Sequence, residues 1–240
     1  MNLVLDFGNT RIKVGIFNED ELKHNYVFYS ENELTQFINS TVFKIHNSII
    51  SSVTNQHTLI LETLSKKSTI LYYSSNVKIP LKNLYKSATT LGSDRIAASV
   101  GSFTFFPNKN VLTIDAGTCI KYNFVNSSNE YIGGAISPGL NMRLKALNYF
   151  TKSLPLIKFD KNYEKLTGET TQESILSGSL IGAVCEVKSM IEHYKAKYND
   201  VEIVITGGDA DYLYEQLKSC FFANQNILLY GLNTILNYNL

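Results

Sequence analysis

Apolar residues recur in two patterns along this chain of 240 residues. Short runs dense in Val, Ile, Leu, Phe and Tyr, bounded by Gly, Asn and Asp, predict strands. In the first half these are Asn2–Leu5, Arg11–Phe17 and Lys23–Tyr29, separated by polar turns at DFGNT and NEDE as in an antiparallel meander. A helical pattern follows near Glu31–Asn39, then a strand at Asn47–Val53, a helix over residues 55–66 and a strand through STILYYS. The second half restarts that order, with strands at Val111–Ile114, Cys119–Asn126 and Glu130–Ala135 and a helix after Pro138. A longer helix is expected over Thr171–Tyr198. Thr170 and Glu173 form a capping box at its start, and Ile175, Leu176, Leu180, Val184, Val187, Ile191 and Tyr194 follow at three- and four-residue steps. VEIVITGG reads as a buried strand, followed by a helix from Asp209 and a short closing helix after Gly231.

Each half is headed by the same short sentence. LVLDFGNTRIKVGIF starts at Leu3, and LTIDAGTCIKYNFV follows about a hundred residues later. Both run an apolar stretch into Asp, then Gly and Thr, then Ile-Lys and another apolar stretch. Two related α/β domains, residues 1–108 and 109–240, are the economical reading, and the length suits either two small domains or one large one. No linker or low-complexity stretch interrupts them.

Composition narrows the function more than the fold. A hydrophobic share of 44% is that of a globular chain. The net charge of +1 supplies no field to gather nucleic acid or an anionic membrane. The three cysteines, Cys119, Cys185 and Cys220, are odd in number and far apart, so neither a disulfide framework nor a zinc pair is suggested. The histidines (His24, His46, His57 and His193) also lack metal spacing and read as surface or packing residues. No unbroken apolar run reaches the length of a membrane span, and Asp6 already belongs to the repeat, which leaves no room for a signal core. A cytoplasmic protein is expected.

The repeated turn carries the candidate chemistry. Gly lets backbone N–H groups approach a ligand, Thr and Asn add short donors, and Lys13 adds a positive charge, a combination that suits phosphate oxygens. The aspartates would repel those phosphates unless a cation intervened. Mg²⁺, held by one or two carboxylates with water and phosphate, meets that need. Two such turns with one metal would clamp a nucleoside triphosphate. Other phosphate devices are absent: there is no Gly-Lys pair, hence no Walker A loop, and no G-x-G-x-x-G. GAISPG has one residue too many before its Ser for a nucleophile elbow and reads as a sharp turn made by Gly133, Gly134, Pro138 and Gly139.

Two further stretches matter. LGSDRIAASVGS puts Asp94 and Arg95 at the start of a small-residue helix, where Ser93 or Asp94 could simply cap it with Arg95 in solvent. The same pair could instead take a proton from an alcohol and clamp an anionic substrate. ITGGDA ends a strand in two glycines, either a plain turn or a bed for a flat ring.

D-x-G-N-T, G-x-D-R before a helix, D-x-G-T, G-G-x-I-x-P-G and T-G-G, in this order, resemble the type III pantothenate kinases of the actin/sugar-kinase/Hsp70 ATPase superfamily. The resemblance covers essentially the whole chain. It implies two ribonuclease-H-like (actin-like ATPase) domains with mixed sheets flanked by helices, ATP between them, a homodimer, and phosphorylation of pantothenate as the first step towards coenzyme A. It also implies Mg²⁺ and a monovalent cation, K⁺ or NH₄⁺. Carried over by position, Asp6, Phe7, Gly8, Asn9, Thr10, Arg11, Ile12 and Lys13 match the first phosphate motif, with Asp6 towards the metal. Asp94 matches the catalytic base, and Gly92, Ser93, Asp94 and Arg95 the pantothenate segment. Tyr85 and Thr171 match further substrate contacts, Asp115 the monovalent-cation ligand, and Thr118 an ATP contact. The family often has Pro where Ala88 stands and Asn where Thr170 stands, which leaves the local loop shape open.

Two alternatives stay open at this level: a kinase of another small alcohol such as a sugar, and a non-catalytic accessory regulator of gene expression on the same fold. The Tyr85, Asp94 and Arg95 cluster speaks against the first, and intact Asp6, Asp94 and Asp115 against the second. Ser177, Gly178, Gly182 and Ala183 crowd the first turns of the long helix. Because Gly costs about 1 kcal/mol in a helix interior, they suggest close approach of a second helix across a twofold dimer axis.

Overall fold

The computed structural model describes residues 1–8, 10–52, 57–74, 76–217 and 221–240. The chain begins β1 (Asn2–Phe7), β2 (Ile12–Asn18), β3 (Glu21–Phe28), α1 (Glu31–Ser40), β4 (Asn47–Ser52), α2 (Thr58–Ser65) and β5 (Thr69–Tyr72). β6 (Lys82–Asn83) and α3 (Ser93–Phe105) lead into β7 (Asn110–Ala116), β8 (Cys119–Val125), β9 (Glu130–Pro138) and α4 (Leu140–Phe150). Then come α5 (Thr171–Leu176) and α6 (Gly182–Lys197), joined by a π-helical turn at Ser177–Ile181, followed by β10 (Val201–Thr206), α7 (Ala210–Leu217), β11 (Phe222–Ala223) and α8 (Ile227–Tyr238).

Contacts divide the chain into two units. The first comprises Met1–Pro107, Asn129–Tyr131 and Asn226–Leu240; the second comprises Asn108–Ser128 and Ile132–Gln225. The chain therefore does not split once at 108/109. Its last helix belongs with the first unit, and so do three residues of the hairpin after β8.

In the first unit the sheet order is β3-β2-β1-β4-β5, with β1 antiparallel to β2 and parallel to β4. β1 is central and covered on both faces, which is why its sequence is almost continuously apolar. Leu3, Leu5, Val14, Ile16 and Ile50 pack with Leu34 and Ile38 of α1 and Ile60 and Leu64 of α2. α8 also packs on β1 and β4. There the buried Asn2 amide donates to Asn233 Oδ1 at 3.0 Å and to Asn237 Oδ1 at 2.7 Å.

α8 starts four residues before Gly231, so that glycine sits inside the helix and does not precede it. Its role is close packing against α3. A Cβ on Gly231 would lie 1.7 Å from the Ala97 carbonyl oxygen, and one on Gly101 would lie 2.0 Å from that of Ile227. The backbones of α3 and α8 thus touch through two glycines. The stretch at Asn129–Tyr131 joins this unit by parallel pairing of β6 with the start of β9 (Lys82↔Glu130, Asn83↔Tyr131).

The second unit repeats the plan. Its strands run β9-β8-β7-β10-β11, with β7 antiparallel to β8 and parallel to β10, so each β-strand of the first sheet has a counterpart. Leu112, Ile114, Tyr122 and Phe124 form its core with Leu144 of α4, Leu180 and Val187 of the long helix, and Leu213 of α7. Gly133 and Gly134 lie within β9 and make no turn; the strand runs on to Pro138.

α5, the π turn and α6 form the long helix, ending at Lys197. Thr170 caps it by accepting from the Glu173 N–H, as the capping box requires. Among the described residues it is the one helix long and apolar enough, by length and composition, to cross a membrane. Leu176, Leu180, Ala183, Val187 and Ile191 are instead buried in the core of the second unit.

Candidate active site

The first copy of the repeat is the β1–β2 hairpin. Asp6 lies next to the end of β1, directly opposite Lys13 of β2, and the Gly8 N–H closes the turn by donating to the Arg11 carbonyl at 3.1 Å. Asp6, Arg11 and Lys13 are half-buried, while Gly8 and Thr10 are exposed. Phe7 and Ile12 are in the core, where their side chains hold the hairpin in place. Asn9 lies outside the described residues.

α3 starts beside this hairpin's sheet. Ser51, paired with Asp6 across β4 and β1, shares a hydrogen bond with the Ser93 hydroxyl at 3.2 Å. Gly92, not Ser93 or Asp94, is the N-cap residue. Asp94, half-buried in the first helical turn, accepts from the Arg95 N–H at 2.8 Å. A carboxylate there is favoured by the helix dipole. Arg95 is buried, not solvated, and its guanidinium stands 5.6 Å from the centre of the Tyr85 ring. Tyr85 in turn packs against Tyr131, with ring centres 6.1 Å apart. The sequence-predicted residues Tyr85, Gly92, Ser93, Asp94 and Arg95 are therefore one cluster.

The second copy is the β7–β8 hairpin. Asp115, next to the end of β7, stands opposite Lys121, and the two side chains form an ion pair at 2.6 Å with both largely buried. Thr118 is exposed at the tip. The two remaining glycine motifs support this hairpin by backbone contact. A Cβ on Gly139 would sit 2.1 Å from the Gly117 carbonyl oxygen, and the Gly139 N–H donates to Thr118 O at 3.2 Å. Gly207, with φ +99°, would place a Cβ 2.1 Å from Ala116 O, and the Asp209 N–H donates to that same oxygen at 3.0 Å. The glycine of the TGG motif is thus explained by the Ala116 backbone beneath it.

Behind this hairpin a polar network fixes β9, α4 and α6. Arg143 donates to Glu186 at 2.5 Å and to Ser137 at 2.7 Å, and the Tyr122 hydroxyl donates to Glu186 at 3.1 Å. Burial raises the Glu186 carboxyl, but hydrogen bonds from Ser137 and Arg143, with the Arg143 charge and the Tyr122 hydroxyl, outweigh it and hold the group below the ordinary carboxylate value. Burial and the Glu186 charge push the Tyr122 phenol well up. Thr171 is exposed at the start of the long helix.

Two arrangements went unread in the sequence. His57 is buried, stacked on Phe7 with ring centres 3.8 Å apart, and bonded to Ser52 Oγ at 2.6 Å and Glu31 Oε1 at 2.7 Å. Nothing in their spacing joins residues 31, 52 and 57. The Asp115–Lys121 pair did leave a signal, since both copies of the repeat end in Ile-Lys.

A family model of type III pantothenate kinases matches residues 2–193. Over 241 residues the chain is 44% identical to the type III pantothenate kinase of Christiangramia forsetii, covering 100% of this chain and 99% of that one. It is 40% identical over 240 residues to that of Cytophaga hutchinsonii, with both chains fully covered. The chain belongs to the type III pantothenate kinase family.

Two solved structures place the fold of this family member. A conserved protein of Campylobacter jejuni assigned to the Baf family of transcriptional activators matches with TM-score 0.67 at 18% identity, covering 99% of this chain and 98% of that one. The ROK hexokinase of Thermus thermophilus matches with TM-score 0.53 at 12% identity, covering 98% of both. At such identities the likeness concerns the fold alone: ribonuclease-H-like units with mixed sheets, as in actin-like sugar kinases.

Proposed function

We propose that this protein transfers the γ-phosphoryl group of ATP to pantothenate, giving 4'-phosphopantothenate and ADP in the first step of coenzyme A synthesis. The observation that carries the reading is the start of α3, where half-exposed Asp94 adjoins buried Arg95 under the Tyr85 ring, in a chain of this family. Phosphoryl transfer asks mainly for positioning and charge neutralisation. Asp94 accepts the hydroxyl proton as the pantothenate oxygen bonds to the γ-phosphorus and the bond to the ADP oxygen breaks. Arg95, held in place by burial and Tyr85, pairs with the pantothenate carboxylate or neighbouring polar groups. Thr171 adds a further polar contact to the substrate.

The phosphate oxygens are assigned to the turn from Gly8 through Asn9, Thr10 and Arg11, to Lys13, and to the Thr118 hydroxyl. Among the described residues no group of three or more His, Cys, Asp or Glu could cage a metal. A single carboxylate at Asp6 fits Mg²⁺, which keeps most of its shell for water and phosphate. When bound, Mg²⁺ neutralises phosphate charge.

Assembly as a homodimer belongs to the same reading. Gly178 and Gly182 are exposed one turn apart on the long helix, and a Cβ on either would meet nothing within 4 Å. Ala183 is buried in its own core and Ser177 donates to Leu166 O, so only the two glycines remain from the small-residue group for a helix of a second copy.

ADP release from ATP, measured with and without pantothenate and against a panel of sugars and small alcohols, tests the activity. Pantothenate-dependent release supports it. Release with a sugar alone would reassign the substrate, and binding without turnover would make the protein an accessory factor.

A further inference from the structure

The resemblance gives Asp115 to a monovalent cation, and the residues around it do not fit one. Its carboxylate already has a cation. Lys121 Nζ lies 2.6 Å from Asp115 Oδ2, with only 20% of the Lys121 side chain and 15% of the Asp115 side chain exposed. The pairing is set by the fold. The two residues stand opposite one another in the β7–β8 register, and the hairpin between them is closed by the Gly117 N–H on the Cys119 carbonyl at 3.0 Å. β10 flanks the other side of Asp115 through Thr206, and Gly139 and Gly207 press on the turn from two further segments. Little in this surround can move aside.

Resting on the activity proposed above, we infer that Lys121 is a built-in replacement for the monovalent cation, so that this enzyme needs no added K⁺ or NH₄⁺. An ammonium group carries the same single charge as either ion. Tethered on the neighbouring strand, it is present at an effective concentration that no change of buffer can lower. A second cation on the same carboxylate would meet Lys121 at close range in a largely buried place, where like charges repel far more strongly than in water. The ordinary alternative is that the pair merely stitches the hairpin together. The two readings differ in what happens when Lys121 is removed, because a stitch is not restored by a soluble ion.

The test compares wild type with Lys121→Gln and Lys121→Thr at constant ionic strength, exchanging tetramethylammonium for K⁺ or NH₄⁺. Wild type is expected to show the same pantothenate-dependent turnover in all three salts. Each variant is expected to lose about tenfold or more in tetramethylammonium, the scale on which supporting partners of an ion site act, and to recover in K⁺ or NH₄⁺. Melting temperatures give a readout independent of turnover: K⁺ or NH₄⁺ should raise those of the variants and leave that of wild type unchanged. Stimulation of wild type by either ion overturns the inference. So does a variant that keeps full activity in tetramethylammonium, or one that loses activity and melting temperature without recovery of either in both salts. Absence of pantothenate-dependent turnover in every salt would instead overturn the assigned substrate, with the melting comparison still deciding the role of Lys121.

Discussion

Substituting Gly231 by Ala sets two physical effects against each other with opposite signs. Gly is about 1 kcal/mol worse than Ala in a helix interior, so propensity alone makes Gly231→Ala stabilising. The structure reverses that expectation. The added methyl carbon would stand 1.7 Å from the Ala97 carbonyl oxygen and 2.7 Å from both the Ala97 carbon and the Gly101 nitrogen, whereas real Cβ contacts essentially never fall below 3.0 Å. All three obstacles are backbone atoms of α3, so no side chain can swing away and the helices must part. Overpacking of this kind costs typically about 1–3 kcal/mol and sometimes more, and backbone obstruction belongs at the top of that range. After the gain in propensity, a net loss of about 2 kcal/mol is expected, or roughly 4–8 °C in Tm for a chain of this size.

α3 also carries Asp94 and Arg95 at its start, so the displacement should raise KM for pantothenate. The assays are a thermal melt with a urea titration, and initial rates of ADP release at varied pantothenate. A variant as stable as wild type, or more so, would refute the close contact between α3 and α8. A variant that is destabilised but keeps its KM would separate that contact from the site.

Asp94→Asn should leave the fold and ATP binding intact and lower turnover by at least ~10²-fold, the lower range for losing a general base; near-normal turnover would place the base elsewhere. Gly182→Leu should give a monomer in sedimentation and weaken pantothenate binding more than ATP binding, and a dimer with normal kinetics would remove the glycine face from the interface. Glu186→Gln should destabilise at neutral pH by about 1–2 kcal/mol, less than the loss of a fully buried pair because both partners keep some solvent. Its carboxyl is held below the usual value, so the native charge stabilises above the unfolded pKa of about 4.3, and this stability is lost as pH falls through the lower folded value. Melts of both proteins should therefore converge in acid, and a gap that persists there would assign the loss to packing.

Much of this protein was legible in its order of residues. The duplicated Asp-x-Gly hairpins, the strand and helix sequence of each half, and the capping box at Thr170 follow from local patterns, because a turn or a cap is decided by residues a few positions apart. The family follows from motif order for the same reason, since each motif is a short stretch with its own backbone demand.

Packing between distant segments was not legible. That α8 returns to the first unit, that Gly231 lies within a helix against Ala97, and that Gly207 is demanded by Ala116 all depend on which surfaces meet after folding. The charge state of the site was hidden in the same way. Whether Arg95 lies in solvent or at a binding site was left open by the sequence, and it is buried under Tyr85; Asp115, which the resemblance gave to an ion, is paired with Lys121. Spacing along the chain could place these residues near turns, but a buried charge is settled by its nearest counter-charge and by the water excluded around it. Those are properties of three-dimensional neighbours, here brought together by strand register and by two glycine contacts.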